Sequence, residues 1–292
     1  MDGILCIDKP TGMTSFLCCA VVRRLLGVKK IGHAGTLDPN ATGVLPLLVG
    51  KATKSLDHLP CHDKRYTAVL RFGAVSDTLD VWGSVSETGK PSPTLAAIEA
   101  ALPALRGDIL QTPPMTSALK KDGVRLYDLA RQGIEVERTA RPVTIHSLEI
   151  LAYDSAVGEL TLDCRCSKGT YIRSLCDDLG RALGCGAVMT ALRRTEAAGY
   201  TLADCLTLDM AKALAADGQL ASRLLPIDSA FSIHPAVTVS PAQATRFRNG
   251  GALALARLHP TPCGTVRVYA PDGIFLGLGA PKEDQLAIVQ LF

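Results

Sequence analysis

Apolar and polar positions along this chain predict a protein of mixed helices and strands. An apolar run over 3–8 is halted by Pro10 and Gly12, which predicts a strand ending in a turn. Apolar residues recur at helical spacing over 16–26, with Thr14 or Ser15 to cap, Arg23 and Arg24 in the last turn, and Gly27 just beyond. Residues 44–49 read as a buried strand. Over 64–72, Tyr66, Ala68, Leu70 and Phe72 alternate with Arg65, Thr67 and Arg71, the pattern of a half-buried strand. Pro93 opens a helix over 94–102, ended by Pro103 and Gly107. Residues 143–151 and 159–166 predict paired strands. Thr170 is expected to cap an amphipathic helix carrying Ile172, Leu175, Cys176, Leu179 and Leu183, closed by Gly184. Another helix is predicted over 208–216.

Two stretches stand apart from this pattern. Residues 113–142 carry Lys120, Lys121, Arg125, Arg131, Arg138 and Arg141 around an Asp122-Gly123 turn and a short helix over 126–132. This reads as a basic excursion from the core; on charge alone a solvated surface hairpin fits as well. After Ser232-Ile233-His234-Pro235 the texture changes. Ser240-Pro241 opens a short helix that Asn249-Gly250-Gly251 ends, and strands follow over 265–269, 274–279 and 285–291. Pro271-Asp272-Gly273 marks a turn between the first two. A large α+β domain over 1–231 and a small β-rich domain over 232–292 are the expectation.

Composition narrows the class. The 292 residues are 47% hydrophobic and 20% charged, which excludes dominant disorder. Net charge is only +3, so any nucleic-acid partner must be met by local positive charge. No apolar run approaches the ~20 residues of a spanning helix, and the N-terminus lacks the pattern of a secretion signal. A cytoplasmic protein without membrane contact is expected. The 10 cysteines then read as reduced, small apolar residues, and no C-x-x-C pair suggests zinc. His58, Cys61 and His62 cluster, but without a fourth ligand at matching spacing they read as solvated loop residues. No metal is expected.

The most informative segment is Gly32-His33-Ala34-Gly35-Thr36-Leu37-Asp38-Pro39-Asn40-Ala41-Thr42-Gly43. Its glycines allow close backbone approach or positive φ, and Pro39 biases Asp38 toward extended backbone. A carboxylate on such a loop beside His33 suits a nucleophile or a general base. For a lone Asp-Pro, an Asx-type turn with a solvated Asp is the favoured reading. The spacing is not that of a phosphate-binding P-loop.

This segment resembles the catalytic loop of the TruB-type family of bacterial tRNA pseudouridine-55 synthases. The resemblance runs nearly end to end. Gly3-Ile4-Leu5 with Asp8-Lys9-Pro10-x-Gly12-Met13-Thr14-Ser15 is similar to the family's first motif. Lys64-Arg65-Tyr66 and Gly73-x-x-x-Asp77-Thr78-x-Asp80 are similar to its second. Ser117-Ala118-Leu119-Lys120 through Arg125-Leu126-Tyr127 and Ala130-Arg131-x-Gly133 resemble its RNA-clamping insertion. Cys166-Ser167-Lys168-Gly169-Thr170-Tyr171-Ile172-Arg173 and Leu192-Arg193-Arg194-Thr195 complete the set. Phe247-x-Asn249-Gly250 and Val266-Arg267-Val268 fit, less specifically, its small C-terminal PUA-like domain. One departure is Thr116, where the family usually has an aromatic residue after Pro-Pro-Met.

The resemblance implies a mixed, mainly antiparallel sheet of the pseudouridine synthase type with flanking helices, a basic insertion over 113–142, and a PUA-like barrel. It implies an isomerase that detaches a uridine base at N1, turns it and rejoins it through C5, in the T-loop of tRNA. No cofactor, metal or obligatory protein partner is implied, and a monomer suffices. Asp38, Tyr66 and Arg173 carry over as catalytic. Asp38 must be ionised, and an arginine favours the charged form and orients it. Arg173 lies in a first helical turn, where the helix dipole disfavours a cation; this favours a dedicated carboxylate partner. Tyr66 would stack on the uracil, Tyr171 and Leu192 would line the pocket, and His33 would help displace the target nucleotide. Gly32, Gly35, Thr36, Lys9, Lys120, Arg125, Arg131 and Arg193 complete the expected RNA-binding set. The uridine must be flipped out and water excluded while the base is detached.

Two other classes compete. A non-catalytic RNA-binding protein would share the basic insertion but not turnover. A glycoside or nucleoside hydrolase needs a second carboxyl about 5–10 Å from the first; Asp77 and Asp80 are the nominees, though a structural or positioning role suits them better.

Overall fold

The computed structural model describes residues 1–292. They form two compact units. The first gathers Met1–Pro39, Val44–Cys61 and Ala198–Phe292; the second gathers Asn40–Gly43 and His62–Ala197.

The first unit contains two sheets. In one, the strand Gly3–Lys9 runs parallel to Leu206–Thr207, with Ile7 opposite Leu206, and has Thr42–Val49 as its other neighbour. Ile31–His33 pairs antiparallel with Thr42–Val49, His33 opposite Leu47. The helices Ser15–Leu26 and Leu208–Ala216 bury one apolar stripe each. Leu5, Ile7, Cys18, Val22, Leu45, Leu47, Leu208 and Ala211 form their common core. Thr14 caps the first helix by accepting from Leu17 N at 3.0 Å, and Gly27 ends it at φ 64. That left-handed turn costs glycine nothing and a side chain about 1 kcal/mol. The second sheet has five strands in the order Ala236–Thr238, Val266–Tyr269, Phe275–Lys282, Gln285–Leu291, Leu253–Ala254. It curls into a PUA-like half-barrel. The helix Pro241–Arg248 closes it with Ala244 and Phe247 in its core. The scarce aromatics gather here: Phe275 stacks on Phe292 at 5.5 Å, and Phe231 meets Phe292 at 5.8 Å.

The second unit is built on an antiparallel sheet in the order Ala187–Ala197, Lys64–Phe72, Glu159–Cys166, Arg141–Asp154, Gly107–Gln111. Thr42 and Gly43 add to its edge in parallel, opposite Arg193 and Arg194. Along Lys64–Phe72 the burial alternates as the sequence predicts, with Tyr66, Ala68, Leu70 and Phe72 inside. The helix Ile172–Ala182 buries Ile172, Leu175, Cys176 and Leu179. Burial pushes the Cys176 thiol up to about 12, in keeping with cysteines that act as apolar filler.

Three expectations change. Thr170 is not the cap of the amphipathic helix: Tyr171 occupies that position with no side-chain cap, and Thr170 Oγ1 donates to Ser167 O at 3.0 Å. Ala187–Ala197, of which only Leu192-Arg193-Arg194-Thr195 is read from sequence, as a motif, forms an 11-residue strand. Its Arg193, Arg194 and Glu196 mask the alternation, yet Arg194 is fully buried. Gly50–His58, unassigned from sequence, winds as a 3-10 helix.

Candidate active site

In the first unit the loop bearing Asp38 is held on both sides of that residue. Ser15, buried at the start of its helix, donates from Oγ to Leu37 O at 3.1 Å and accepts from Leu37 N at 2.8 Å. One hydroxyl thus satisfies both main-chain groups of the residue before Asp38. On the other side, Pro39 O accepts from Lys9 Nζ at 2.9 Å and from Met13 N at 3.2 Å. The expectation that Lys9 touches RNA is corrected here. Lys9 is wholly buried, and its ammonium also donates to Pro10 O at 2.8 Å and Met13 O at 2.6 Å. Charge-assisted bonds of this kind are roughly twice as strong as neutral ones. Lys9 therefore clamps the loop. Asp38 itself is half-buried, Thr36 is exposed, and Gly35 takes φ 109. His33 and Gly32 lie on the short strand leading into the loop.

In the second unit Arg173 is the second residue of the helix Ile172–Ala182 and only 4% exposed. Its Nη1 donates to Thr78 O at 3.0 Å and to Thr116 Oγ1, and its Nη2 donates to Thr116 O at 3.0 Å. Asp80 Oδ2 lies 3.7 Å from Nε. A buried guanidinium needs such partners, because desolvating an uncompensated charge costs several kcal/mol. The turn that supplies Thr78 and Asp80 is strained and pinned. Leu79 has φ 64, a region that bulky residues avoid. Met189 N donates to Leu79 O at 3.1 Å and Val81 N donates to Met189 O at 3.0 Å, fastening the turn to the strand Ala187–Ala197. Asp80 Oδ1 accepts from Thr78 Oγ1 at 2.6 Å and from Trp82 N at 3.1 Å. Asp77 serves the turn itself, its Oδ1 accepting from Ser84 N at 2.7 Å.

The other expected residues of this unit lie on the same sheet and helix. Tyr66 is buried on Lys64–Phe72, opposite Cys164 on one neighbouring strand and Arg194 on the other. Leu192 pairs with Ala68 and Arg193 with Thr67. Tyr171 is held through its main chain by the buried Gln111. Its N–H donates to Oε1 at 2.8 Å and its carbonyl accepts from Nε2 at 3.1 Å. Gln111 escapes a reading of the sequence because its side chain carries neither charge nor a known motif role, and Thr116 stands out there only as a departure from the family's aromatic residue, not as a partner of Arg173. His62 lies near Lys64 and Lys168; burial first, and then these cations, lower its pKa. No three His, Cys, Asp or Glu side chains converge as a metal site, and no helix is long and apolar enough to cross a membrane.

The basic insertion carries Lys120 and Arg125 on a hairpin, Lys120–Lys121 against Val124–Arg125, and Arg131 at the end of the helix Leu126–Arg131. Arg125 and Arg131 are exposed, and Lys120 is exposed beside them. Tyr127 organises the two arginines: the guanidinium carbons of Arg125 and Arg131 lie 5.6 and 5.4 Å from its ring centroid. Cation–π attraction holds like charges near each other that would otherwise separate. A cleft of 290 Å³ opens beside them, lined by Lys120, Lys121, Arg138 and Arg141 among others. Such a cationic cleft suits a phosphate backbone.

Residues 23–172 match the model of the TruB family pseudouridylate synthase N-terminal domain. Residues 173–232 match the tRNA pseudouridylate synthase B C-terminal domain, and 235–288 the pseudouridine synthase II TruB C-terminal model. The chain is 46% identical to the tRNA pseudouridine synthase B of Aromatoleum aromaticum over 96% of its own length and 88% of that protein's. It is 45% identical to that of Burkholderia pseudomallei, covering 98% and 95%. Among solved structures it resembles the crystal structure of a Cbf5-Nop10-Gar1 complex at TM-score 0.75, 24% identity, covering 99% of this chain and 84% of that one.

Proposed function

The chain belongs to the TruB family and is a pseudouridine synthase that acts on tRNA, and from that premise we propose that it isomerises a uridine of the T-loop, with Asp38 as the catalytic carboxylate. The N1–C1′ bond of the uridine breaks and a C5–C1′ bond forms. C5 gives up its proton and N1 gains one, so the product is an isomer and nothing is consumed. Asp38 acts at the sugar–base junction, as nucleophile or as base. Arg173 is the cation that orients it. Tyr66 stacks on the detached uracil, with its hydroxyl near the proton leaving C5. Tyr171 and Leu192 line the pocket, and His33 takes the place of a neighbour lost when the uridine leaves its stack. Lys120, Arg125, Arg131 and Arg193 meet phosphates, and residues 232–292 add RNA contact as a PUA-like domain.

The observation that carries this reading is the doubly clamped loop. A solvated Asp-Pro turn has no need of a buried hydroxyl on one side of the carboxylate and a buried ammonium on the other. Held this way, Asp38 keeps one geometry before substrate arrives, and catalytic groups gain most from such preorganisation. The hydrolase reading loses its nominees, because Asp77 builds a turn and Asp80 pairs with Arg173.

Base-resolution mapping of pseudouridine in tRNA, with wild-type protein and the Asp38→Asn variant, tests the assignment. Wild type should modify one T-loop uridine with many turnovers, and Asp38→Asn should bind tRNA yet form no product. Near wild-type conversion by Asp38→Asn would refute Asp38, and release of free uracil would indicate hydrolysis.

A further inference from the structure

Thr116 grips Arg173 at two points. Its carbonyl accepts from Nη2 and its hydroxyl accepts from Nη1, which also donates to Thr78 O, so Thr116 touches both outer nitrogens. A planar fork held at both tips cannot rotate about its long axis without losing one of the bonds. The carbonyl would be present whatever the side chain. The hydroxyl is specific to threonine or serine here.

Thr116 lies between two buried residues. Met115 and Ser117 on either side are buried, at 8% and 3% exposure. Ser117 O accepts from Tyr127 N at 3.1 Å, and Leu119 O accepts from Leu126 N at 2.8 Å. The acceptor for Arg173 is therefore anchored in the base of the basic insertion. We propose that Thr116 is a positioning residue for the isomerisation, its hydroxyl setting the orientation of the Arg173 guanidinium. This rests on the roles proposed above for Asp38 and Arg173.

Two variants separate the hydroxyl from the methyl. Thr116→Val keeps shape and carbonyl but removes Oγ1; Thr116→Ser keeps Oγ1 and removes the methyl. Single-turnover pseudouridine formation at saturating tRNA, and tRNA affinity by filter binding, are measured for both. Loss of one hydrogen bond to a charged group should slow Thr116→Val about tenfold or more, with tRNA affinity unchanged within about twofold. Thr116→Ser should recover most of the rate. The inference is overturned if Thr116→Val matches wild type, if its loss is one of tRNA affinity, or if Thr116→Ser is as slow as Thr116→Val. Should Thr116→Val fail to accumulate as folded protein, Thr116→Ser decides alone: a rate near wild type supports the hydroxyl, and a tenfold loss refutes it. A wild-type protein that forms no pseudouridine would overturn the underlying reading together with this one, whereas an active wild type with an equally active Thr116→Val overturns this one alone.

Discussion

Replacing Ser15 by alanine should uncouple the stability of the catalytic loop from that of the helix it leans on. Ser15 is 2% exposed and Leu37 3%. The substitution deletes the 2.8 and 3.1 Å hydrogen bonds and leaves both the N–H and the C=O of Leu37 without their partner in a dry site. Each buried, unsatisfied main-chain group costs about 1–3 kcal/mol. The helix keeps its own cap, because Thr14 still accepts from Leu17 N, so that contribution is unchanged. The net cost is about 2–4 kcal/mol, the loop relaxing enough to recover part of the total. For a chain of this size such a loss lowers Tm by roughly 3–7 °C. The second expectation is kinetic. At a temperature where both proteins are folded, Ser15→Ala should lower kcat about tenfold with little change in KM, because Asp38 must be brought to its geometry at each turnover. Thermal unfolding by circular dichroism and steady-state pseudouridine formation measure the two effects. A variant with wild-type Tm and wild-type kcat would refute the claim that this hydroxyl holds the loop. A lower Tm with unchanged kcat would refute its link to catalysis.

Gly43→Ala should be far more damaging. Gly43 has φ +105, and an added Cβ would lie 2.1 Å from Arg194 O and 2.8 Å from Arg194 N. Main-chain atoms inside a sheet cannot yield, so we expect little soluble protein, or a loss of several kcal/mol in urea unfolding; wild-type stability would contradict the close approach. Asp178→Asn should stabilise in a pH-dependent way. Burial, and then the neighbouring Asp177 charge, push the Asp178 carboxyl up to about 6. The folded state thus holds this proton more tightly than the unfolded chain. The resulting penalty is absent near pH 4, grows as pH rises toward 6 and is complete above it. Urea unfolding at pH 7.5 should show a gain of about 1–2 kcal/mol for Asp178→Asn. The same gain at pH 4, or a loss at pH 7.5, would refute the assignment.

Where one physical signal dominates, the chain is legible. Lys64–Phe72 alternates cleanly because one face packs and the other meets solvent, and its bounds follow from sequence alone. The helix Ser15–Leu26 is legible because its cap and its terminating glycine are local. The strand Ala187–Ala197 is hidden because Arg193, Arg194 and Glu196 break the alternation, and only the folded sheet reveals that Arg194 is buried. The site divides the same way. The Asp38 loop stands out by its glycines and proline, whereas Arg173 is nominated by the resemblance of its motif, with its place in a first helical turn as added support. Lys9 misleads because a lysine after a strand reads as solvent-facing, whereas three carbonyls converge on it in the fold. Ser15, Gln111 and Thr116 each act through two hydrogen bonds to a residue 22, 60 or 57 positions away, and nothing in their local sequence announces these partners.

The discontinuity of the first unit sets an order of events during synthesis. Residues 62–197 are contiguous but for four residues of their unit and can fold as they emerge. The strand Gly3–Lys9 emerges before them, with Ile4, Leu5, Cys6 and Ile7 all destined for burial. One of its edges meets Thr42–Val49 soon afterwards. Its other edge waits for Leu206–Thr207, and Ile4 waits for Leu225. At ribosomal rates of about 5–20 residues per second, that wait is roughly 10–40 s. An apolar strand edge left open for that time is a site for chaperones or for misassociation. The loop bearing Asp38 is translated before residues 62–197, yet the unit that carries it is completed only after them.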